Sequence, residues 1–358
     1  MAPYAVRVPS NVGLHMRPSR LACLLVPLII GASPARACDV SENHVPLLFD
    51  RIVQSWTALD KHPLIGVIYD TRGTLPDARK VSRDGSCQDS GDFWNLLEHP
   101  DILLLGEVHD NSEHHRLRAR LLHGGAVVSE HITTDQVLAL ARLKETARNT
   151  GRMFTVDDFK DQLNWQASGW PDDVAELLFT AALQNKLPIY PGDVPRNTIL
   201  RLSKEGQAAI DPKDAARMAL DVPLDAQLDN ALITEIGEAH CGVMPKEALA
   251  GMAFAQRFRD AHMAGMLLKA SEEHGSAILI AGNGHVRNDR GVPWYLRHRA
   301  PGKTVVSVML TEVEEGQNAP DSYVPKGPDG KPAADFLIFT PRAARADPCV
   351  SLRARMKK

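Results

Sequence analysis

Two short stretches of the chain deliver ionisable side chains directly after apolar runs. Ile102-Leu103-Leu104-Leu105 leads into Gly106-Glu107-Val108-His109-Asp110-Asn111-Ser112-Glu113-His114-His115, and Ala277-Ile278-Leu279-Ile280-Ala281 leads into Gly282-Asn283-Gly284-His285. Both end in Gly-x-x-His. A third run, Ala126-Val127-Val128-Ser129, is followed by Glu130-His131. Carboxylates beside imidazoles can hold a divalent cation, share a proton or activate water. On that chemistry Glu107 and Glu130, with His109, His131 and His285 beside them, are candidates to bind a cation or share a proton. A lone loop histidine is most simply a solvated residue; several such clusters, each at the end of an apolar run, point to a site. The spacing does not match the helical His-Glu-x-x-His of metalloproteases. Gly282-Asn283-Gly284 is too short for a dinucleotide fingerprint, and no Gly-x-Ser-x-Gly elbow is present.

The runs at 102–105 and 277–281 have the length and continuity of buried parallel strands, and such strands open their carboxyl ends into a crevice. Strands are expected also at 64–69 (as a hairpin with residues from Thr74 onward), 126–131, 187–190, 304–310 and 335–339. Helices are expected at 46–56, 91–97, 112–122, 134–148, 156–163, 172–184, from Pro195, at 225–238, 246–270 and 292–297. Alternating strands and helices predict an α/β fold: a central mixed or mostly parallel sheet, helices on both faces and an added helical segment. The stretch from Glu314 to Lys331 reads as a polar linker. Asp110 with Glu113 suggests a capping box for the helix at Ser112. On that helix His114 shares a face with Leu117 and Leu121, and His115 with Ala119 and Leu122, so one imidazole is expected in the site and the other behind or outside it. In the helix after Pro245, Gln256 and Asp260 interrupt an apolar stripe. A buried Asp needs a partner, and Arg259, Arg196 and Arg287 could supply one. Gly242 in His240-Cys241-Gly242 reads as a helix C-cap.

Arginines at 7, 17 and 20, the uncharged run Leu21 to Ile30 and Ala35-Arg36-Ala37 describe a secretory leader, with cleavage expected after Ala37 and either Met1 or Met16 as the start. Its apolar core is too short to span a bilayer. Arg36 and Ala35 disfavour lipid anchoring at Cys38. Residues 38–345 are expected as a single α/β domain and 346–358 as a tail. Of the 41 basic residues, four arginines leave with the leader, so 37 face 44 acidic ones, a formal charge of −7. That balance gives no global attraction to nucleic acid. The remaining Cys38, Cys87, Cys241 and Cys349 suit an oxidising, periplasmic or extracellular compartment and leave three pairings open. Cys38 with Cys349 is expected, because both flank the domain and termini tend to meet at a surface. No Cys-x-x-Cys is present.

Leu-Gly-Glu-Val-His-Asp-Asn with His114-His115, Trp165 with Ser168-Gly169-Trp170-Pro171, Pro195-Arg196, His240-Cys241-Gly242, Gln256 with Arg259-Asp260, and Ala281-Gly282-Asn283-Gly284-His285-Val286 with Gly291-Val292-Pro293 together resemble the ChaN family of exported haem-binding proteins of bacterial iron uptake. The motifs fall in the expected order between about residues 45 and 340. The resemblance implies haem held at the His/Glu-rich crevice, a homodimer on haem binding, and a link to an outer-membrane haem or iron receptor system. His109, His114, His115, Arg196, Gln256, Asp260, Asn283 and His285 would then contact the cofactor. The family's tyrosine haem ligand has no matched position in this chain, and Tyr190 and Tyr295 are only nearby candidates. The wider grouping contains Tiki metal-dependent proteases and erythromycin-esterase-like hydrolases. In that alternative, Glu107, His109, Glu130 and His285 hold a divalent metal (Mn or Zn) or act as catalytic groups, a glutamate serving as general base, and enzymatic activity stays open.

Overall fold

The computed structural model describes residues 45–73, 91–151 and 155–356. Seven strands form one sheet: β1 (Ile68–Asp70), β2 (Ile102–Glu107), β3 (Ala126–Thr133), β4 (Ile189–Asp193), β5 (Ala277–Gly282), β6 (Val305–Glu312) and β7 (Phe336–Thr340). Their order is β1-β7-β6-β2-β5-β3-β4, parallel throughout except for β1 against β7. The two Gly-x-x-His strands are therefore neighbours. Every residue of β2 and of β5 is buried, which requires cover on both faces and explains why these strands are continuous apolar runs rather than alternating ones.

Register sets the site. Gly106 pairs with Ala281 and Glu107 with Gly282, so both strands release their polar residues at one level. On the other side of β5, β3 pairs with β4 regularly to Ser129 and Pro191, then shifts before Thr133 and Asp193. Adjacent residues of a regular strand face opposite sides, and an irregularity relaxes that constraint. Glu130 and His131 lie in the shifted stretch and both turn toward the strand ends.

The helix Ser112–Leu121 follows β2 at once, and the 29-residue helix Lys246–His274 precedes β5 and packs on β3, β4 and β5. No helix among the described residues is long and apolar enough to cross a membrane. Two local expectations are corrected, and a third falls outside the described residues. The Ser112 helix is capped by Asn111, whose side chain accepts from the Glu113 amide at 3.0 Å, while the Glu113 carboxylate turns to Trp56 Nε1 at 2.5 Å instead of closing a box with Asp110. The strand near Tyr69 pairs with β7; the hairpin partner expected from Thr74 onward lies outside the described residues. Cys349 bonds Cys241, with Cα atoms 5.4 Å apart, and not Cys38. Cys241 follows the helix Ala226–Ala239 at a left-handed turn (φ 59°), which brings its sulfur to the C-terminal helix Pro348–Met356. Cys38 and Cys87 lie outside the described residues.

Candidate functional site

Glu107 ends β2 fully buried, and all of its oxygens are engaged. Oε1 lies 2.9 Å from His109 Nδ1 and 3.2 Å from His131 Nε2; Oε2 lies 3.1 Å from His115 Nε2 and is bonded by the Arg118 guanidinium. His115 and Arg118 arrive from successive turns of the Ser112 helix, which the Asn111 cap aims at the strand end. His115 Nδ1 in turn meets Asp173 Oδ2 at 2.9 Å. Arg118 has no solvent exposure; burial lowers its guanidinium to about 9.

Glu130 forms a second centre. Its Oε2 accepts the Gly282 amide at 2.7 Å, and its Oε1 meets Arg259 at 2.7 Å and His285 Nε2 at 3.3 Å. Arg259 also forks onto Asp193 at the end of β4, at 3.0 and 2.7 Å. His285 Nδ1 lies 2.6 Å from Asp260 Oδ1. Burial alone would raise the Glu130 carboxyl, but the positive charges of His285 and Arg259 outweigh it and hold it well below the usual range. Burial alone would likewise depress His285, but Glu130 and Asp260 lift it to about 9. His285 is thus an imidazolium between two carboxylates, with no lone pair to offer. Gln256 lies over its ring at 3.2 Å.

His109 joins the centres. Its Nδ1 is on Glu107, its Nε2 is 3.8 Å from Glu130, and its side chain is 42% exposed, against 1% for His115 and 4% for His285. Burial lowers both His109 and, further, His131, which keeps these imidazoles neutral. The Trp170 ring stands edge-on to both, 5.0 and 4.5 Å away. A Cβ at Gly282 would approach His109 Nε2 to 2.7 Å, so the ring rests on that glycine.

The structure thus brings together Glu107, His109, His115, Glu130, Gln256, Asp260 and His285. It places His114 elsewhere, wholly buried, accepting from the Val108 amide at 2.9 Å and bonded to Thr340 at 2.7 Å. Arg196 is exposed at the start of the helix after β4, and Asn283 binds the Leu310 carbonyl at 2.9 Å. Asp260 finds His285 as its partner, not one of the arginines; Arg287 pairs with Asp289. The Tyr190 hydroxyl is taken by Glu273 and His274, and the fully buried Tyr295 accepts from Arg257. Arg118, Asp173 and Asp193 were missed by sequence reasoning. Gly192-Asp193 ends its strand as Gly106-Glu107 does and could have been noticed; Arg118 stands one turn beyond His115 but carries no local mark of burial.

Glu107, His109 and His131 present one ligating atom each, all within 4.8 Å of one another. One carboxylate and two neutral imidazoles are suitable donors for Zn or Mn.

A family model described as haem-binding uptake, Tiki superfamily, ChaN, matches residues 93–296, more than half of the chain. The chain belongs to this family. Among solved structures, ChaN of Campylobacter jejuni, described with cofacially bound haem, superposes with a TM-score of 0.54 at 19% identity, covering 77% of this chain and 96% of that one. At that identity the likeness is one of fold. A Bacillus cereus protein superposes with a TM-score of 0.39 at 15% identity, covering 82% of this chain and 97% of its own. No curated protein sequence matches. The stretch matched by the ChaN model contains both Gly-x-x-His strand ends and Glu130, and stops before the last two strands and the disulfide-linked C-terminal helix.

Proposed function

We propose that the chain is an exported, periplasmic haem-binding protein of bacterial iron or haem uptake, with the macrocycle lying over the crevice at His109. The observation that carries this reading within the ChaN family is the exposure of His109. It is the one open imidazole among His109, His114, His115 and His285, and its neutral state is what iron ligation needs. With the Nδ1 proton donated to Glu107, the lone pair resides on Nε2; a carboxylate behind the ring fixes the tautomer and makes the imidazole a better donor. Trp170 supplies an apolar wall. Bound haem would supply the iron centre, while Glu107, Arg118 and Trp170 orient the imidazole that meets it. A shallow crevice covers one face of a macrocycle, so a second subunit covers the other. Haemin added to the purified protein should give a ligated Soret band and a shift toward dimer on a sizing column. His109→Ala should lose the band.

A second reading, a divalent-metal-dependent hydrolase, is favoured by the Glu107, His109 and His131 group. Here Glu107 and the two imidazoles would hold the ion, which would activate a bound water, and Glu130, fixed by Arg259 and the Gly282 amide, would anchor the wall beside His109. A free-haemin spectrum with wild type, together with tight Zn or Mn binding that Glu107→Gln abolishes, would replace the first reading by this one.

A further inference from the structure

After β7 the chain does not leave the site. The Pro341 carbonyl accepts from Asn111 Nδ2 at 3.0 Å, and the Ala343 amide donates to Glu312 Oε1 at 3.0 Å. Arg345 then forks: Nε reaches Asp110 Oδ2 at 2.7 Å and Nη1 reaches Glu312 Oε2 at 2.7 Å. Asp110 is the neighbour of His109, and Asn111 caps the helix that sends His115 and Arg118 to Glu107. Asn111 is 1% exposed and spends both side-chain ends here, Oδ1 on the helix and Nδ2 on Glu312 and Pro341. Four residues beyond Arg345, Cys349 is bonded to Cys241. Residues 341–349 are thus tied to the loop that presents His109 at one end and to the end of the helix Ala226–Ala239 at the other.

We propose that this segment is a disulfide-latched strap in which Arg345 is a positioning residue for the His109 loop, so that opening the Cys241–Cys349 bond loosens the loop and weakens whatever His109 holds. The inference rests on the haem reading only for the identity of that ligand. Residues 341–349 lie beyond the stretch matched by the family model, whereas Cys241 lies within it. Both cysteines are half-buried beside exposed Gly242, Pro348 and Val350, within reach of a small reductant. A dithiol supplies the two electrons: one of its thiolates attacks a sulfur of the pair, its second thiol closes a cyclic disulfide, and Cys241 and Cys349 are released as thiols, each having taken up a proton. An oxidising compartment keeps the latch shut and a reducing one opens it.

The test is amide hydrogen exchange on the full chain. The Val108 amide is held by His114 Nδ1 at 2.9 Å and the Asn111 amide by the Val108 carbonyl at 3.0 Å, and both report on the loop. The Val127 amide, held by the Pro188 carbonyl at 2.8 Å between β3 and β4, reports on the sheet. Dithiothreitol, Cys349→Ser and, with the disulfide intact, Arg345→Ala should each speed exchange at Val108 and Asn111 about tenfold or more and leave Val127 unchanged. Haemin affinity should fall in the same three samples. Unchanged loop protection overturns the strap, as does acceleration of Val127 to the same extent, which would make the disulfide a general stabiliser. A loosened loop in a protein that binds haemin in no form supports the strap and removes the haem reading.

Discussion

The two Gly-x-x-His strand ends use the same four-residue spacing on adjacent parallel strands, yet their histidines have opposite fates. His109 leans on a single carboxylate through Nδ1 and keeps an open side chain beside Trp170, whereas His285 is closed between Asp260 and Glu130 and carries a charge. The motif fixes where the imidazole starts, because glycine lets the neighbouring strand and ring come close. The charge is set by what the helices bring: Arg118 neutralises Glu107 and leaves His109 free, while Asp260 adds a second negative group to His285. One imidazole is left to bind, and the other holds the site together.

That division has measurable consequences. The largest concerns stability. His285→Ala removes the imidazolium from two buried carboxylates and should cost about 3–5 kcal/mol in urea unfolding, whereas His109→Ala, at a half-open position, should cost about 1 kcal/mol or less. Equal costs would erase the distinction. The second consequence is the sign of the pH dependence. His285 is raised from 6.5 to about 9, so its contribution is complete below pH 6.5 and is lost as pH rises through about 9. Burial lowers His114 to about 3 and also lowers His109, so their contribution is present above pH 6.5 and fades as pH falls below it. Urea midpoints across pH should therefore lose their alkaline slope in His285→Asn and their acid slope in His114→Asn, with His109→Asn changing the acid side least. The reverse pattern would break the assignment of charges. The smallest effect is Gly282→Ala. Its methyl group would displace the half-exposed His109 ring and no backbone, so stability should change little, while the haemin Soret band shifts or weakens. An unchanged band would show that His109 is not resting on Gly282 when the ligand binds.

Much of this was legible before any coordinates. The runs at 102–105 and 277–281 announced buried parallel strands, and Glu107, His109, Glu130 and His285 do converge where those strands end. What escaped was whatever depends on distant partners. Asp260 could be seen to need a counter-charge, but its choice of His285 over Arg259 follows from Arg259 being claimed by Asp193 and Glu130. Arg118 sits in a helix rich in charge, and only packing tells that it is the buried one. Asn111 rather than Asp110 caps that helix because the helix starts at Ser112, which leaves Asp110 one residue before the cap and free to meet Arg345, some 235 residues away. The Cys241–Cys349 bond required knowing that the end of one helix and the start of the last lie side by side.

The pairing of β2 with β5 bears on how the protein reaches its native state. About 175 residues separate Gly106 from Ala281, and every strand pair in this sheet except β6 with β7 joins segments much farther apart in sequence than a hairpin would. Closing loops of that size is entropically slow, and sheets built from such non-local contacts fold slowly. The crevice needs β5 to be docked before Glu130 has the Gly282 amide to hold or His109 has a floor. Partly folded chains, with β2 and β3 formed but β5 still loose, would expose the apolar run at 277–281 and lack the site entirely, so ligand competence should be the last property gained on refolding and the first lost on unfolding.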